Sequence, residues 1–574
     1  MNLAQQFKTN KKLQNWTLLI YYALISVLLF FILSKNGYLY LGDDIQFHVN
    51  RIEELAANLK LHNLFVFLST FSTNRIGIAT NLFYPGLWLY PFAFLRLIIP
   101  NPIHAIYLGL MLINLLTCVI AHFTFRSFSG SAKQAFIFTN LYFFSSYRLI
   151  DIFNRFDLAE FIALSVIPLV FWGFYETLFR NMQMWPWLAV GMALLLYAHI
   201  LSFIIVTCFL GILTVVNFKK ISLLKQRGIK LLFSILAFLG LTAGFLYSFI
   251  TTYLAVPIQT PRPFILAQTA LNPKDLFGSS FSNQIFGSSP TFNLGFVALV
   301  IGIFTLLYFS NLTDMDRQIA FWSVLCIFFS TKLFPWQLLQ NTGVSMIQFP
   351  WRIFIIANFL ICVLGTKALS FIKVPYVESL IVISLILLSV GAISQFVTSK
   401  KQDPTLNRAF SPNEPLAFRY HIKINQQAYK YLLMIIPTKD YIPINPNHSN
   451  LQNRRTYNAV ITRHMFIHNQ LRTIHHLKSF PNGVILTTPK IGKKTTVSLP
   501  FYLYQSRHYR VWVNGKLAKF SHDKFRLLKL ELAGNKNVVK IQYVPTLSQW
   551  ASILISIISF ISLIYYGVLQ WRRK

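Results

Sequence analysis

Runs of apolar residues long enough to cross a bilayer set the strongest limit on how this chain can fold. A helix needs about 20 such residues to span the hydrocarbon layer, at about 1.5 Å per residue. Runs of this kind fall at 16–34, 103–124, 134–150, 158–178, 184–199, 201–217, 231–254, 293–309, 319–334, 350–369, 376–396 and 549–568. The expectation is an α-helical polytopic membrane protein with about twelve transmembrane helices. Composition agrees, because only 12% of the 574 residues are charged, about half the share in a soluble domain. Cys118, Cys208, Cys326 and Cys362 all lie inside apolar stretches, so no disulfide framework is expected.

Charge sets the orientation. Lys8, Lys11 and Lys12 precede the first run and place the N-terminus in the cytoplasm. No small-residue cleavage site follows, so this helix reads as retained. The apolar segment 82–99 is the exception among the runs. Counted as a crossing, it would place Arg126 and Lys133 outside. Laid along or dipping into the outer leaflet, it leaves Arg126, Lys133, Arg180, the basic run at 219–230, Arg317, Lys367, Lys373 and the terminal Arg572, Arg573 and Lys574 on the cytoplasmic side. The positive-inside bias selects the second arrangement. Both termini are then cytoplasmic, and segments 35–102, 148–158, 255–292 and 335–350 face outward. The chain divides into a transmembrane part at 1–397, an outer domain at 398–548 and a last helix with a basic tail at 549–574.

The outer domain changes period. Val484–Thr488, Thr495–Phe501, Tyr509–Val513, Leu527–Leu532 and Val538–Val544 alternate apolar and polar residues, as strands with one buried face do. Asn514-Gly515 between two of these runs reads as a type I′ hairpin. An antiparallel β-sandwich is expected, with some helix before it near 424–436. Between Lys400 and Trp550 stand 24 Lys and Arg against 5 Asp and Glu. Outside the cell such a surface suits anionic headgroups or an anionic wall polymer such as teichoic acid, and not nucleic acid. His464 and His468 are one helical turn apart in number, but no carboxylate or cysteine stands near them, so no metal site is expected there.

Ionisable residues gather at the outer ends of the apolar runs. In Gly42-Asp43-Asp44-Ile45-Gln46-Phe47-His48-Val49-Asn50-Arg51, a helix would set Asp44 and His48 one turn apart on one face. Such a pair can bind a divalent ion or act as a base with its orienting partner. The same spacing fits a capped juxtamembrane helix with Glu53 and Glu54 solvated. The second outer segment, Tyr147 to Glu160, carries Arg148, Asp151, Arg155, Asp157 and Glu160. Charge at membrane depth is costly and is usually kept for a site. The alternative is a salt-bridged loop pairing Arg148 with Asp151 and Arg155 with Asp157. Arg262, Lys274 and Arg352 suit a lipid-linked phosphate, or ordinary headgroups. His199 splits a long apolar run. The chain has no P-loop, no dinucleotide-binding glycine pattern, no HExxH and no CxxC.

Asp44-x-x-Phe47-His48-x-x-Arg51, Tyr84-Pro85, Tyr147-Arg148 with Arg155-x-Asp157-x-Ala159-Glu160, His199 and Gln348-Phe349-Pro350-Trp351-Arg352 together resemble the YfhO-like bacterial membrane proteins. These are sometimes labelled as related to 6-pyruvoyl-tetrahydropterin synthase, and they are similar to the GT-C superfamily of glycosyltransferases. The resemblance covers roughly residues 10–400 and implies sugar transfer outside the membrane from a polyprenyl-phosphate donor to a cell-envelope polymer or lipid acceptor. On that implication Asp44 is the base, with Asp43 its neighbour or substitute. His48, Arg51, Arg148, Arg155, Asp157, Glu160, His199, Arg262 and Arg352 contact substrate. Any divalent metal would sit on Asp44 and Asp157. A transporter or flippase of lipid-linked sugars would use the same outer cavity but should show inverted repeats, and none is evident. A scaffold on an anionic wall polymer would explain the basic domain and leave the acids without a role.

Overall fold

The structure is a computed structural model that describes residues 11–261, 263–286, 292–372, 376–402, 423–434, 439–467 and 470–572. Among these, seven helices are long and apolar enough to cross a membrane: Lys12–Lys35, Pro102–Ser129, Leu158–Phe179, Leu224–Ala255, Pro350–Ser370, Glu378–Ser399 and Leu547–Gln570. The other expected runs fall in shorter helices. Ala132–Phe143, Trp185–Ala198, Ile200–Val216, Phe296–Leu307 and Asp314–Ser330 have 12, 14, 17, 12 and 17 residues. Local features stop several of them short. The run expected to reach residue 150 breaks after Phe143, and His199 takes an extended conformation between two helices. Within 82–99 the helix Tyr90–Ile98 has nine residues, about 13 Å, well short of the roughly 30 Å a crossing needs.

By packing, the chain forms two compact units. The first comprises Met1–Ile45, Asn101–Ser234 and Pro263–Tyr429. It is helical apart from the short antiparallel pairing of β1 (Leu39–Tyr40) with β2 (Lys423–Ile424). Its helix ends follow ordinary rules. Asn101 caps Pro102–Ser129 by accepting from the Ile103 amide, and Gly130, at φ 70°, ends that helix in the left-handed conformation.

The second unit comprises Gln46–Pro100, Ile235–Arg262 and Lys430–Lys574. Its β-sandwich contains β3 (His464–Ile467), β4 (Gln470–Thr473), β5 (His476–Phe480), β6 (Gly483–Thr487), β7 (Gly492–Tyr502), β8 (Tyr509–Val513), β9 (Lys516–Leu517), β10 (Ser521–His522), β11 (Leu527–Gly534) and β12 (Val538–Tyr543). One sheet has the order β10-β11-β7-β3-β4 and the other β5-β6-β12-β8-β9, with every pairing antiparallel. Asn514 and Gly515 sit at φ 49° and 81°, the two left-handed positions of the expected turn. The helix Gln426–Met434 lies where helix was expected. His468 lies outside the described residues.

The segment Gln46–Pro100 after the first helix does not stand apart from the sandwich. Phe67, Leu68, Ile76, Ile78, Leu82 and Phe83 share one core with Val484, Leu499, Phe501 and Ile541. The Asn482 side chain accepts from the Phe67 and Leu68 amides at 2.7 and 3.2 Å. A Cβ on Gly77 would lie 2.4 Å from the Phe501 ring, so only glycine fits there. Glu54 is not solvated, which corrects the second reading of this helix. It is fully buried and accepts from the amides of Thr70, Phe71 and Ser72 at 2.9, 2.8 and 2.7 Å. Those donors favour the carboxylate, while burial, the larger influence, pushes its pKa up. Glu53 pairs with Arg96 at 2.6 Å.

Candidate functional site

The site in the first unit is built on one turn. After the short helix Ser146–Ile150 the chain makes a π-helical turn over Asp151–Arg155, and Phe156 then takes φ 56°. Asp157 caps the helix Leu158–Phe179, accepting from the Glu160 amide at 3.0 Å. Helix N-termini favour acids, so Asp157 and Glu160 are well placed at this end. The loop Gly42-Asp43-Asp44 docks on the same turn. The Asp44 amide donates to the Arg155 carbonyl at 3.0 Å, and a Cβ on Gly42 would lie 2.6 Å from that same oxygen. The close approach that delivers the two aspartates therefore requires glycine at position 42.

Arg155 stands at the centre, with 4% of its side chain exposed. Its Nη1 lies 2.8 Å from Asp151 Oδ1, 3.0 Å from Asp157 Oδ2 and 3.3 Å from Glu160 Oε2. Its Nη2 is 3.4 Å from Asp44 Oδ2, and its Nε is 3.9 Å from Asp43 Oδ2. The guanidinium also lies 5.0 Å from the Trp351 ring and 5.8 Å from Phe292. Tyr147 donates to Glu160 Oε1, and Arg352 Nε stands 3.6 Å from Glu160 Oε2. Burial alone would lower the Arg155 pKa. The charges of Asp157, Asp151, Asp44 and Glu160 outweigh it and hold the group protonated.

Of the five carboxylates only Asp43 and Asp44 reach the surface, at 34% and 38% side-chain exposure. Burial first, then the charge of Asp157 and of Asp43, pushes the Asp44 pKa up to about 7 against the opposing pull of Arg155 and Arg352. Its exposure lets water screen part of that push. Asp151 is fully buried, and its Oδ2 has no hydrogen-bond partner among the described residues. Burial and the nearby Glu160 push its carboxyl well up, the direction that favours a protonated acid there.

Asp43, Asp44, Arg155, Asp157, Glu160 and Arg352 are thus brought together. Arg148 is not among them. Its guanidinium is buried, donating to Asn114 Oδ1 at 2.6 Å and Thr117 Oγ1 at 3.0 Å, with the Phe161 ring 4.2 Å away. The Arg148–Asp151 pairing is corrected to Arg155–Asp151; Arg155–Asp157 is present as expected. Arg352 also donates to the Ile347 carbonyl and Gln348 Oε1 at 3.1 and 2.8 Å. His199 Nδ1 bonds Ser202 Oγ at 2.7 Å. His48 and Arg51 belong to the second unit, where Arg51 donates to the carbonyls of Tyr84 and Pro85 at 2.9 and 2.8 Å. The helix begins at Ile45, so Asp44 precedes the first turn that was to align it with His48. Arg262 lies outside the described residues. Sequence reasoning missed the central part of Asp151 and Tyr147; both lie in the charged segment that signalled the site.

Oxygens of Asp151, Asp157 and Glu160 lie within 4.8 Å of one another. An all-oxygen set suits a hard divalent cation. Here, however, Arg155 Nη1 contacts all three residues, so the guanidinium supplies the positive charge.

The fold and this cluster define a multi-pass membrane protein with a polar site where apolar helices begin and a C-terminal antiparallel β-domain before its last helix. No protein-family model and no curated protein matches the chain. Among solved structures it is similar to ArnT from Cupriavidus metallidurans bound to undecaprenyl phosphate. The identity is 13% and the TM-score 0.40, over 78% of this chain and 70% of that one. That likeness is too loose to assign a family.

Proposed function

We propose that the protein transfers a sugar from a polyprenyl-phosphate carrier to a cell-envelope acceptor on the outer face of the membrane, with Asp44 as general base. The observation that carries this reading is Asp44 itself. Its carboxylate is accessible, is fixed through its own backbone to the Arg155 turn, and has a pKa near the pH at which a base works best. The donor class comes from the sequence resemblance, and the apolar helices around the site suit a lipid carrier.

In this reaction the acceptor hydroxyl oxygen bonds to the anomeric carbon while the bond from that carbon to the phosphate oxygen breaks. The hydroxyl proton passes to Asp44, and polyprenyl phosphate leaves with the electron pair. Asp43 adds a smaller upward push on the Asp44 pKa to those of burial and Asp157. Arg155 acts as a positioning residue, since its guanidinium is enclosed by carboxylates. Arg352, whose Nε stands 3.6 Å from Glu160 Oε2, is the proposed contact for the departing phosphate.

A base must be deprotonated, and the pKa of this one is raised. Transfer should therefore fall about tenfold per pH unit below roughly pH 7 and level off above it. The test is initial rate against pH in membranes supplied with a polyprenyl-phosphate sugar pool, read as sugar gained by the acceptor fraction. A profile flat from pH 5 to 8 overturns Asp44 as the base. Unchanged envelope glycans and lipid-linked sugars on deletion of the chain overturn the transferase reading. The orientation has its own check. A cysteine at the exposed Ala533 should react with a membrane-impermeant thiol reagent in intact cells, and one at the exposed Ala132 should not. The reverse pattern overturns the outward placement.

A further inference from the structure

The second sheet of the sandwich turns a mixed row of rings and cations away from the core. Along β12, Val539, Ile541 and Tyr543 point into the core while Val538, Lys540 and Gln542 point out. The neighbouring strands alternate in the same way. Val484 and Leu486 of β6 and Tyr509 and Val511 of β8 are buried, which turns Ile485, Arg510 and Trp512 outward. Register then aligns a row across the sheet. Lys540 stands opposite Trp512 on one side and Ile485 on the other, Ile485 faces Lys478, and Trp512 faces Leu517.

The centre of this face is one cation between two rings. Lys540 Nζ lies 4.8 Å from the Trp512 ring and 5.2 Å from Phe480. Lys478 and Arg510 flank it and are exposed. No Asp or Glu occurs in the five strands of this sheet, and no carboxylate pairs with Lys540, Lys478 or Arg510 among the described residues. The other sheet differs, because its exposed Lys494 pairs with Glu531 at 2.9 Å.

We propose that this face binds an anionic glycan. Aromatic rings on a flat sheet give sugar rings an apolar, polarisable surface to lie on, and unpaired cations beside them suit carboxylate or phosphate groups along the chain. A lipid surface fits less well. Only three residues separate β12 from the helix Leu547–Arg572. The Gln542 end of the face is therefore nearest the span, and Lys540 with Trp512 opposite lies two residues further along the strand, at about 3.3 Å per residue. The inference goes beyond the proposed transferase and does not need Asp44. If both hold, the glycan bound here is the acceptor or its anchor.

The test is calorimetric titration of the full-length protein in neutral detergent with polygalacturonate, neutral dextran, inorganic polyphosphate and vesicles containing an anionic phospholipid. Polygalacturonate should bind, more weakly as salt rises, and dextran should not. Trp512→Ala and Lys540→Ala should each weaken binding by about tenfold, the scale of one stacking or cation contact. The paired control Lys493→Ala with Lys494→Ala, on the other sheet, should change it by less than about twofold. Lys478→Ala with Arg510→Ala, both exposed, keeps the test valid if Trp512→Ala unfolds the domain, and should weaken binding by a similar factor. Equal losses in the control and face variants would mean diffuse charge and overturn the site. Polyphosphate bound as tightly as polygalacturonate and indifferent to Trp512 would do the same, as would displacement of polygalacturonate by the vesicles. Asp44→Asn should bind like wild type, so a failed transferase reading leaves this result intact.

Discussion

Asp44→Asn is expected to lower sugar transfer by roughly 10²–10⁴ while the amount of folded protein in the membrane stays the same. Asparagine is nearly the same size and keeps the backbone donor that bonds the Arg155 carbonyl at 3.0 Å, so the loop still docks. What is lost is the one accessible carboxylate whose pKa is pushed up to about 7. Asp43→Asn separates the two aspartates. It removes a like charge that raises Asp44, so most of the rate should remain and the rise in the pH profile should move to lower pH. Rates and pH profiles of both variants, with protein abundance by immunoblot, decide the matter. Wild-type transfer in Asp44→Asn would leave Asp44 as no more than the residue before a helix.

Arg155→Met should cost about 3–5 kcal/mol of stability, the usual penalty for removing one partner of a buried ion pair. Asp151, Asp157 and Glu160 are nearly inaccessible and share one nitrogen of that guanidinium. Without it, three carboxylates crowd together, and Arg352 Nε, 3.6 Å from Glu160 Oε2, reaches one of them. Total stability for a protein is typically about 5–15 kcal/mol, so abundance should fall sharply and thermal unfolding in detergent should shift well down. Lysine should not rescue the variant. Its single ammonium cannot match the planar fork that reaches Asp151, Asp157 and Glu160 from one side and Asp44 from the other. Adding Asp151→Asn to Arg155→Met should recover part of the loss, because it removes one stranded acid. A melting temperature unchanged in Arg155→Met would mean that another cation serves these acids.

Sequence alone pointed to the two segments whose charges the fold brings together, because charge is rare at the ends of apolar runs and stands out there. It could not separate their roles. Arg148 and Arg155 are seven positions apart, with similar neighbours, and read alike as substrate contacts. One is buried against Asn114 and Thr117, and the other is enclosed by carboxylates. The π-helical turn at Asp151–Arg155 makes that difference, and run length and periodicity give no sign of it.

Features set by neighbours in the chain could be read from the sequence: the apolar runs, the strand alternation, the Asn514-Gly515 turn and the basic excess between Lys400 and Trp550. Each depends on a period or a preferred backbone angle that a few consecutive residues define. Contacts between distant residues were decided only by the tertiary structure. Phe67 and Ile78 of the first loop complete a core with Val484 and Ile541, more than four hundred positions away. Gly42 reaches the carbonyl of Arg155, and Lys540 lies between Phe480 and Trp512. Such meetings follow from how strands register and how surfaces pack to exclude solvent, which no local pattern encodes.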